Sequence, residues 1–128
     1  SDMPFFEMVE SWISTYYEIL PEYPQIPIFI LNEVNQNPDA LIKRVLKRNP
    51  QAIFTRLSQR VEEEVKKGTI KDIPVIDLGL NVLSLCVFPF MFRGLAVKVA
   101  KKSVTEYNNV LAEHKKYVIE LILNGLKP

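Results

Sequence analysis

The sequence has one cysteine and one histidine among its 128 residues. Zinc sites need several such ligands, and nucleophilic catalysis needs a nucleophile together with a base that converges on it. A lone cysteine also excludes a disulfide framework. Cys86 stands in an apolar stretch, where a cysteine is usually a small hydrophobic side chain. We therefore expect a cytoplasmic protein that is not an enzyme and that carries no cofactor or metal.

The chain also has few glycines and a net charge close to zero. The four glycines are scattered, so no glycine-rich phosphate-binding loop is present. A net charge of +1 gives no general attraction to nucleic acid or to an anionic membrane. The densest basic group is Lys43, Arg44, Lys47 and Arg48. Because no aromatic residues are interleaved with it, we interpret this group as a solvated helix face.

The chain lacks a long uninterrupted apolar run. Ile73–Phe92 approaches the length of a membrane span. Pro74, Asp77 and Asn81 interrupt its first half, and Pro89 interrupts its second. We therefore interpret the segment as a buried or interface helix and expect no membrane contact. For Asp77, a role as a pocket anchor and a role in capping or at an interface both stay open.

Apolar residues instead recur at three- and four-residue steps along almost the whole chain. This pattern predicts an all-α bundle of about six helices. The first helix should run from Phe5 to Leu20, with Asp2 as its cap, and end at Pro21. The stretch Pro24–Val34 would suit a buried strand, but its two prolines favour a short, mostly buried helix.

Two Asn-Pro pairs, at positions 37–38 and 49–50, predict the starts of further helices. The second of these helices should end at Gly68, and its residues Glu62–Glu64 should form a solvated face. Its inward-facing residues are predicted to be Ile53, Phe54, Leu57, Val61 and Val65.

The helix predicted from Pro74 to Arg93 contains a proline. Because Pro89 has no N–H, the Leu85 carbonyl loses its helical partner, and a kink is expected near Leu85. A kinked helix packs less tightly and favours an apolar cavity for a small molecule, although an aromatic-rich filled core also fits the sequence. Large side chains from four helices are the candidate pocket residues: Trp12, Tyr16, Phe29, Phe54, Phe88, Met91 and Phe92.

Ser103 and Glu106 predict a capping box for the last helix, which should run to Asn124 with Gly125 at its C-cap. This helix and the one before it are apolar on more than one side, which favours an intermolecular four-helix bundle in a two-fold dimer. His114 is more typical of a core or interface position than of a ligand contact. The candidate interface residues are Leu78, Val82, Leu85, Tyr107, Leu111, His114, Val118, Leu121 and Ile122.

Three segments together resemble a known family. The ending Glu113–Pro128, which closes in Gly-Leu-Lys-Pro, resembles the close of TetR-family transcriptional regulators. Tyr23–Glu33 resembles the short helix of that family with its Pro-x-x-Pro-x-Phe pattern. Lys67–Asp72 is similar to the glycine-containing turn before its dimer helix. The three matches occur in the family's order and cover most of the chain.

The resemblance implies that residues 1–128 form the effector-binding and dimerisation domain of a bacterial regulator. The last two helices of each subunit, here roughly Val75–Phe92 and Val104–Leu123, would form a homodimeric four-helix bundle. A small hydrophobic effector would bind among the earlier helices. It would alter operator DNA binding by an N-terminal helix-turn-helix that this chain lacks. The alternative is a structural or protein-interaction helical domain without a ligand.

Overall fold

The computed structural model describes residues 3–23, 25–43 and 50–128. These residues form α-helices and no strand, so the predicted all-α class is confirmed. The helices are α1 (Phe5–Ile19), α2 (Ile26–Gln36), α3 (Pro38–Leu41), α4 (Pro50–Lys67), α5 (Val75–Met91), α6 (Arg93–Val99) and α7 (Val104–Leu126).

The core lies between α1, α5 and α7, which pack against one another. Each helix contributes one stripe of apolar side chains spaced three or four residues apart. Full burial of each large aliphatic or aromatic side chain contributes about 1.5–3 kcal/mol, so these three stripes hold the bundle together. The buried stripes are Phe5, Val9, Ile13 and Tyr17 of α1, Leu78, Val82, Cys86 and Phe90 of α5, and Tyr107, Leu111, Val118, Ile122 and Leu126 of α7.

The segment around residues 24–34 is a helix, as its prolines favour, but it is not mostly buried. Pro27 is the one buried residue of α2 among those described. Phe29 is 50% exposed, and the apolar residues around it are exposed as well. The expectation of burial was wrong because α2 packs mainly against α5 and α3 and leaves most of its apolar residues exposed.

Helix α4 is also less buried than its apolar spacing predicts. Val61 is in the core and Leu57 and Val65 are partly buried, whereas Ile53 and Phe54 are exposed. The first turns of α4 therefore extend beyond the bundle. Glu64, by contrast, is more buried than predicted: it was expected on a solvated face, but it is only 6% exposed. Its carboxylate pairs with Arg60 at 3.2 Å.

The ends of the helices follow local rules. Asn37 caps α3 by accepting a hydrogen bond from the backbone N–H of Ala40 at 3.2 Å. Ser103 and Glu106 form the predicted capping box, with both reciprocal bonds at 3.0 Å. Gly68 follows α4 with φ +77°, a conformation that favours glycine. The predicted caps Asp2 and Asn49 and the basic residues 44–48 lie outside the described residues.

The last helix is longer than predicted. It runs through Gly125 to Leu126, and the C-cap residue is Lys127. Lys71 N–H donates to the carbonyl of Leu126 at 2.9 Å, so the connector after α4 satisfies part of this helix end. Gly125 is therefore a helical residue and not the terminating one.

Pro89 lies inside α5, and the chain bends three residues later. Helix α5 continues to Met91, and α6 begins at Arg93 at an angle of 54° to α5. The bend between the two helices is thus at Phe92. The Leu85 carbonyl, which loses its helical partner to Pro89, accepts a hydrogen bond from the hydroxyl of Tyr17 at 2.8 Å. The kink predicted near Leu85 stays a prediction. In the described part of the chain, no single helix is long and apolar enough to cross a membrane. The bent pair α5–α6 meets that criterion jointly, by length and composition.

Candidate functional site

A cavity of about 400 Å³ lies between α1, α4 and α5. Helices α1 and α5 pack against each other in the core beside this cavity, and α4 packs against α5. Tyr16 and Leu83 at its border are exposed, so the cavity is open to solvent there. Its lining residues are Trp12, Thr15, Tyr16, Leu57, Leu78, Gly79, Val82 and Leu83.

The lining of this cavity is almost entirely apolar and contains no charged side chain. Its side-chain polar groups are the hydroxyls of Thr15 and Tyr16 and the indole N–H of Trp12. Burial, and then the nearby Cys86, raise the pKa of Tyr16, so its hydroxyl stays protonated at neutral pH. A few hydrogen-bonding groups in an apolar wall are typical of small-molecule sites.

Two of the seven predicted pocket residues, Trp12 and Tyr16, line this cavity. Phe88 and Met91 line a separate groove of about 300 Å³ between α2 and α5. Phe92 stacks on Phe88 with ring centroids 5.5 Å apart, on the side of α5 that faces α7.

Phe29 and Phe54, the remaining two, line neither the cavity nor that groove and are about half exposed. The predicted set is therefore not one pocket, because its members outside α1 do not line the cavity that Trp12 and Tyr16 line.

Sequence reasoning missed most of the wall that α5 contributes. Leu78 and Val82 border the cavity from the core, and Gly79 and Leu83 complete its α5 side. Gly79 was a usable signal, since a glycine in the middle of an apolar helix lowers helix stability relative to alanine by about 1 kcal/mol.

The residues predicted for a dimer interface mostly belong to the chain's own core. Leu85 and His114 are partly buried, and Leu121 is exposed. The other six, which pack inside the described bundle, are Leu78, Val82, Tyr107, Leu111, Val118 and Ile122. These six are covered by α1, α5 and α7 themselves, so a contact through α5 and α7 has to use other positions on those helices.

An exposed apolar stripe does run along the outer side of α7. Val110, Tyr117 and Leu121 recur at steps of seven and four residues, and Tyr117 is 67% exposed. Beside Leu121, a groove of about 280 Å³ separates α7 from α5, with Asn81 and Leu85 on its far wall. Most of the predicted interface residues thus lie on the side of α5 and α7 that faces the chain's own core.

The described residues contain no group of three histidine, cysteine, aspartate or glutamate side chains that could hold a metal ion. Burial raises the pKa of Cys86 to about 11, which makes this thiol a poor nucleophile at neutral pH. The ring of His114 packs 6.4 Å from the ring of Tyr17. Asp77 is exposed in the first turn of α5 and does not line the cavity.

Protein-family models, curated proteins and solved structures were all compared with this chain, and none matches it.

Proposed function

We propose that the chain is the ligand-sensing and dimerising domain of a TetR-like transcriptional regulator. The observation that carries the proposal is the apolar cavity of about 400 Å³ between α1, α4 and α5. This volume lies within the range of about 300–1,000 Å³ that is usual for small-molecule sites. An apolar wall with a few hydroxyl and N–H groups is suited to a small hydrophobic effector.

The position of the cavity supports a sensing role. Helix α1 contributes Trp12, Thr15 and Tyr16 to the wall, and α5 contributes four more residues. A ligand between them would contact the N-terminal helix and the central helix at once. A ligand that prefers one arrangement of α1 relative to α5 shifts the population toward that arrangement. The movement of α1 would then be passed to a helix-turn-helix unit that these 128 residues do not contain.

The outer side of α5 and α7 supports the dimerising role. Phe88, Tyr117 and Leu121 are large side chains that remain exposed on these two helices. Large exposed apolar side chains on two neighbouring helices favour an interaction site. A two-fold axis beside α7 would pair this surface with itself in a four-helix bundle. The resemblance of the C-terminal segment to TetR-family regulators supports the same arrangement.

The sensing role can be tested with the chain's single tryptophan, because Trp12 lines the cavity. A panel of lipophilic compounds, neutral and charged, should include members that raise the Tm and change Trp12 fluorescence with saturable dependence on concentration. A panel in which no compound does either would overturn the sensing role. The regulatory role requires a helix-turn-helix in the sequence encoded upstream of Ser1, and an unrelated sequence there would contradict it.

A protein-interaction domain is the second candidate, and α2 favours it. Ile28, Phe29 and Leu31 all stand exposed on this helix. A partner protein that buried them would contact α2 and not the cavity. Phe29→Ser should then weaken capture of that partner while leaving ligand-dependent Trp12 fluorescence unchanged, which separates the two candidates.

A further inference from the structure

Gly79 occupies an unusual place in the wall of the cavity. It lies in the second turn of α5 and lines the cavity beside Leu78 and Leu83. Its φ is not positive, since Gly68 is the one glycine with positive φ among the described residues. A Cβ added to Gly79 would meet no atom within 4 Å. Neither backbone conformation nor a close neighbour therefore requires glycine here, and the space beside it is the cavity itself.

The charges around the cavity limit what it can hold. None of its eight lining residues is charged. An ionised group buried against this wall would lose its hydration without gaining a partner, which is strongly unfavourable. The hydroxyl of Tyr16 has no hydrogen-bond partner among the described residues. It is free to bond one polar atom of a ligand at the open side.

The size of the cavity limits the ligand further. A dry cavity of about 150 Å³ binds benzene, whereas this one measures about 400 Å³. It accommodates a molecule of two or three rings. Trp12 and Tyr16 present ring surfaces to it, and the bare backbone at Gly79 allows a flat molecule to approach α5 closely.

Resting on the proposed sensing function, we infer that the ligand is a neutral two- or three-ring compound seated on Gly79, and that Gly79 determines the ligand size the cavity accepts. Side chains at position 79 would occupy the ligand's space. Charged analogues of the same ring system would be discriminated against, because the wall offers them no counter-ion.

A matched pair of fluorescent probes tests the charge preference. N-phenyl-1-naphthylamine is neutral, and 8-anilino-1-naphthalenesulfonate is the same ring skeleton with a sulfonate. The neutral probe should bind at least about tenfold more tightly and accept energy from Trp12. Equal or tighter binding of the sulfonate would overturn the assigned ligand class. The sensing role itself would survive that result if substitution of Gly79 still weakened binding of the sulfonate probe.

The size preference is tested by Gly79→Ala and Gly79→Leu. The alanine variant should weaken binding of the neutral probe several-fold. The leucine variant should abolish binding while keeping the far-UV spectrum and a Tm at least equal to the parent, since both changes replace a glycine inside a helix.

Gly94→Leu on α6 is the matched control, because a Cβ there also meets nothing within 4 Å and Gly94 is not among the residues that line the cavity. It should bind the probe like the parent. Probe binding that persists in folded Gly79→Leu would overturn the inference. If Gly79→Leu does not fold, Gly79→Ala provides the test. An unchanged affinity of Gly79→Ala for the neutral probe would then overturn the inference.

Discussion

The hydroxyl of Tyr17 on α1 donates a hydrogen bond to the backbone carbonyl of Leu85 on α5, with an O–O distance of 2.8 Å. Pro89 lies four residues after Leu85 and has no N–H, so α5 cannot supply the usual donor to this carbonyl. Helix α1 supplies it instead. A second tyrosine acts one turn further on, where the Tyr107 hydroxyl donates to the Pro89 carbonyl at 2.8 Å. Two tyrosines thus stabilise the proline-containing end of α5.

Replacing Tyr17 by phenylalanine should therefore destabilise the fold. The ring, which packs edge-on against Phe90 at 5.1 Å, would remain, but the Leu85 carbonyl would lose its donor. The expected cost is about 1 kcal/mol, the usual net contribution of one intramolecular hydrogen bond. Urea unfolding followed by circular dichroism measures it. Tyr23→Phe is the control, since Tyr23 is exposed and lies outside the proposed dimer surface, and it should change stability by less than about 0.5 kcal/mol.

A double-mutant cycle tests the cause of that cost. Pro89→Ala restores an N–H that can bond the Leu85 carbonyl within α5. Tyr17→Phe should then cost clearly less in the Pro89→Ala background than in the parent. An equal cost in both backgrounds would show that the Tyr17 hydroxyl does not compensate for the missing proline N–H.

Cys86 should react slowly with thiol reagents at neutral pH. Burial raises the pKa of its thiol from 9.0 to about 11, which lowers the thiolate fraction about a hundredfold. Because the folded-state pKa is the higher one, this thiol adds stability at every pH below about 9. That contribution is lost as the pH rises through about 11. Urea unfolding between pH 8 and 10.5 should show a steeper loss for the parent than for Cys86→Ala. Parallel curves, or rapid labelling of the folded protein at pH 7, would contradict this.

Glu64 should stabilise the protein through its charge. Burial alone would raise the pKa of Glu64, but hydrogen bonds from Thr69 and Arg60 and the nearby Lys67 charge lower it overall. Removing the charge by Glu64→Gln should cost about 1–2 kcal/mol at pH 7, because Arg60 would lose its carboxylate partner at 3.2 Å. Glu63→Gln at an exposed neighbouring position is the control and should cost less than about 0.5 kcal/mol.

The same glutamate gives a pH dependence of known sign. Its folded-state pKa lies below the ordinary value of 4.5, so its contribution is fully present above that value and disappears as the pH falls through the folded-state pKa. Parent stability should therefore fall more steeply between pH 5 and pH 3 than the stability of Glu64→Gln. Identical slopes would mean that the pairing with Arg60 contributes nothing.

Sequence periodicity identified the helices because apolar spacing and caps act locally. Ser103 with Glu106, Asn37 before Pro38, and the glycine turn at Gly68 each depend on residues within a few positions. These features needed no knowledge of tertiary packing, and the structure contains all of them.

The spacing of apolar residues could not show which of them face the core and which face outward. Helix α5 is apolar around most of its circumference, so its spacing does not distinguish Val82 in the core from Phe88 outside it. For the same reason, the residues of α7 that face the core were predicted to form an interface. The hydrogen bond by which Tyr17 compensates for Pro89 joins Tyr17 to Leu85, which lies 68 positions later in the sequence. It forms only because α1 packs on α5.

Dimerisation through the outer side of α7 makes one further prediction. Leu121 is 62% exposed beside the groove between α5 and α7, so Leu121→Lys should leave the monomer fold intact. In the proposed dimer it would place an unpaired charge at the contact and weaken association by about tenfold or more. Val99→Lys on α6 is the matched control, since Val99 is 69% exposed and should not affect association. Sedimentation velocity at micromolar concentrations distinguishes the species. A monomeric parent, or a Leu121→Lys variant that dimerises like the parent, would rule out a dimer through this surface.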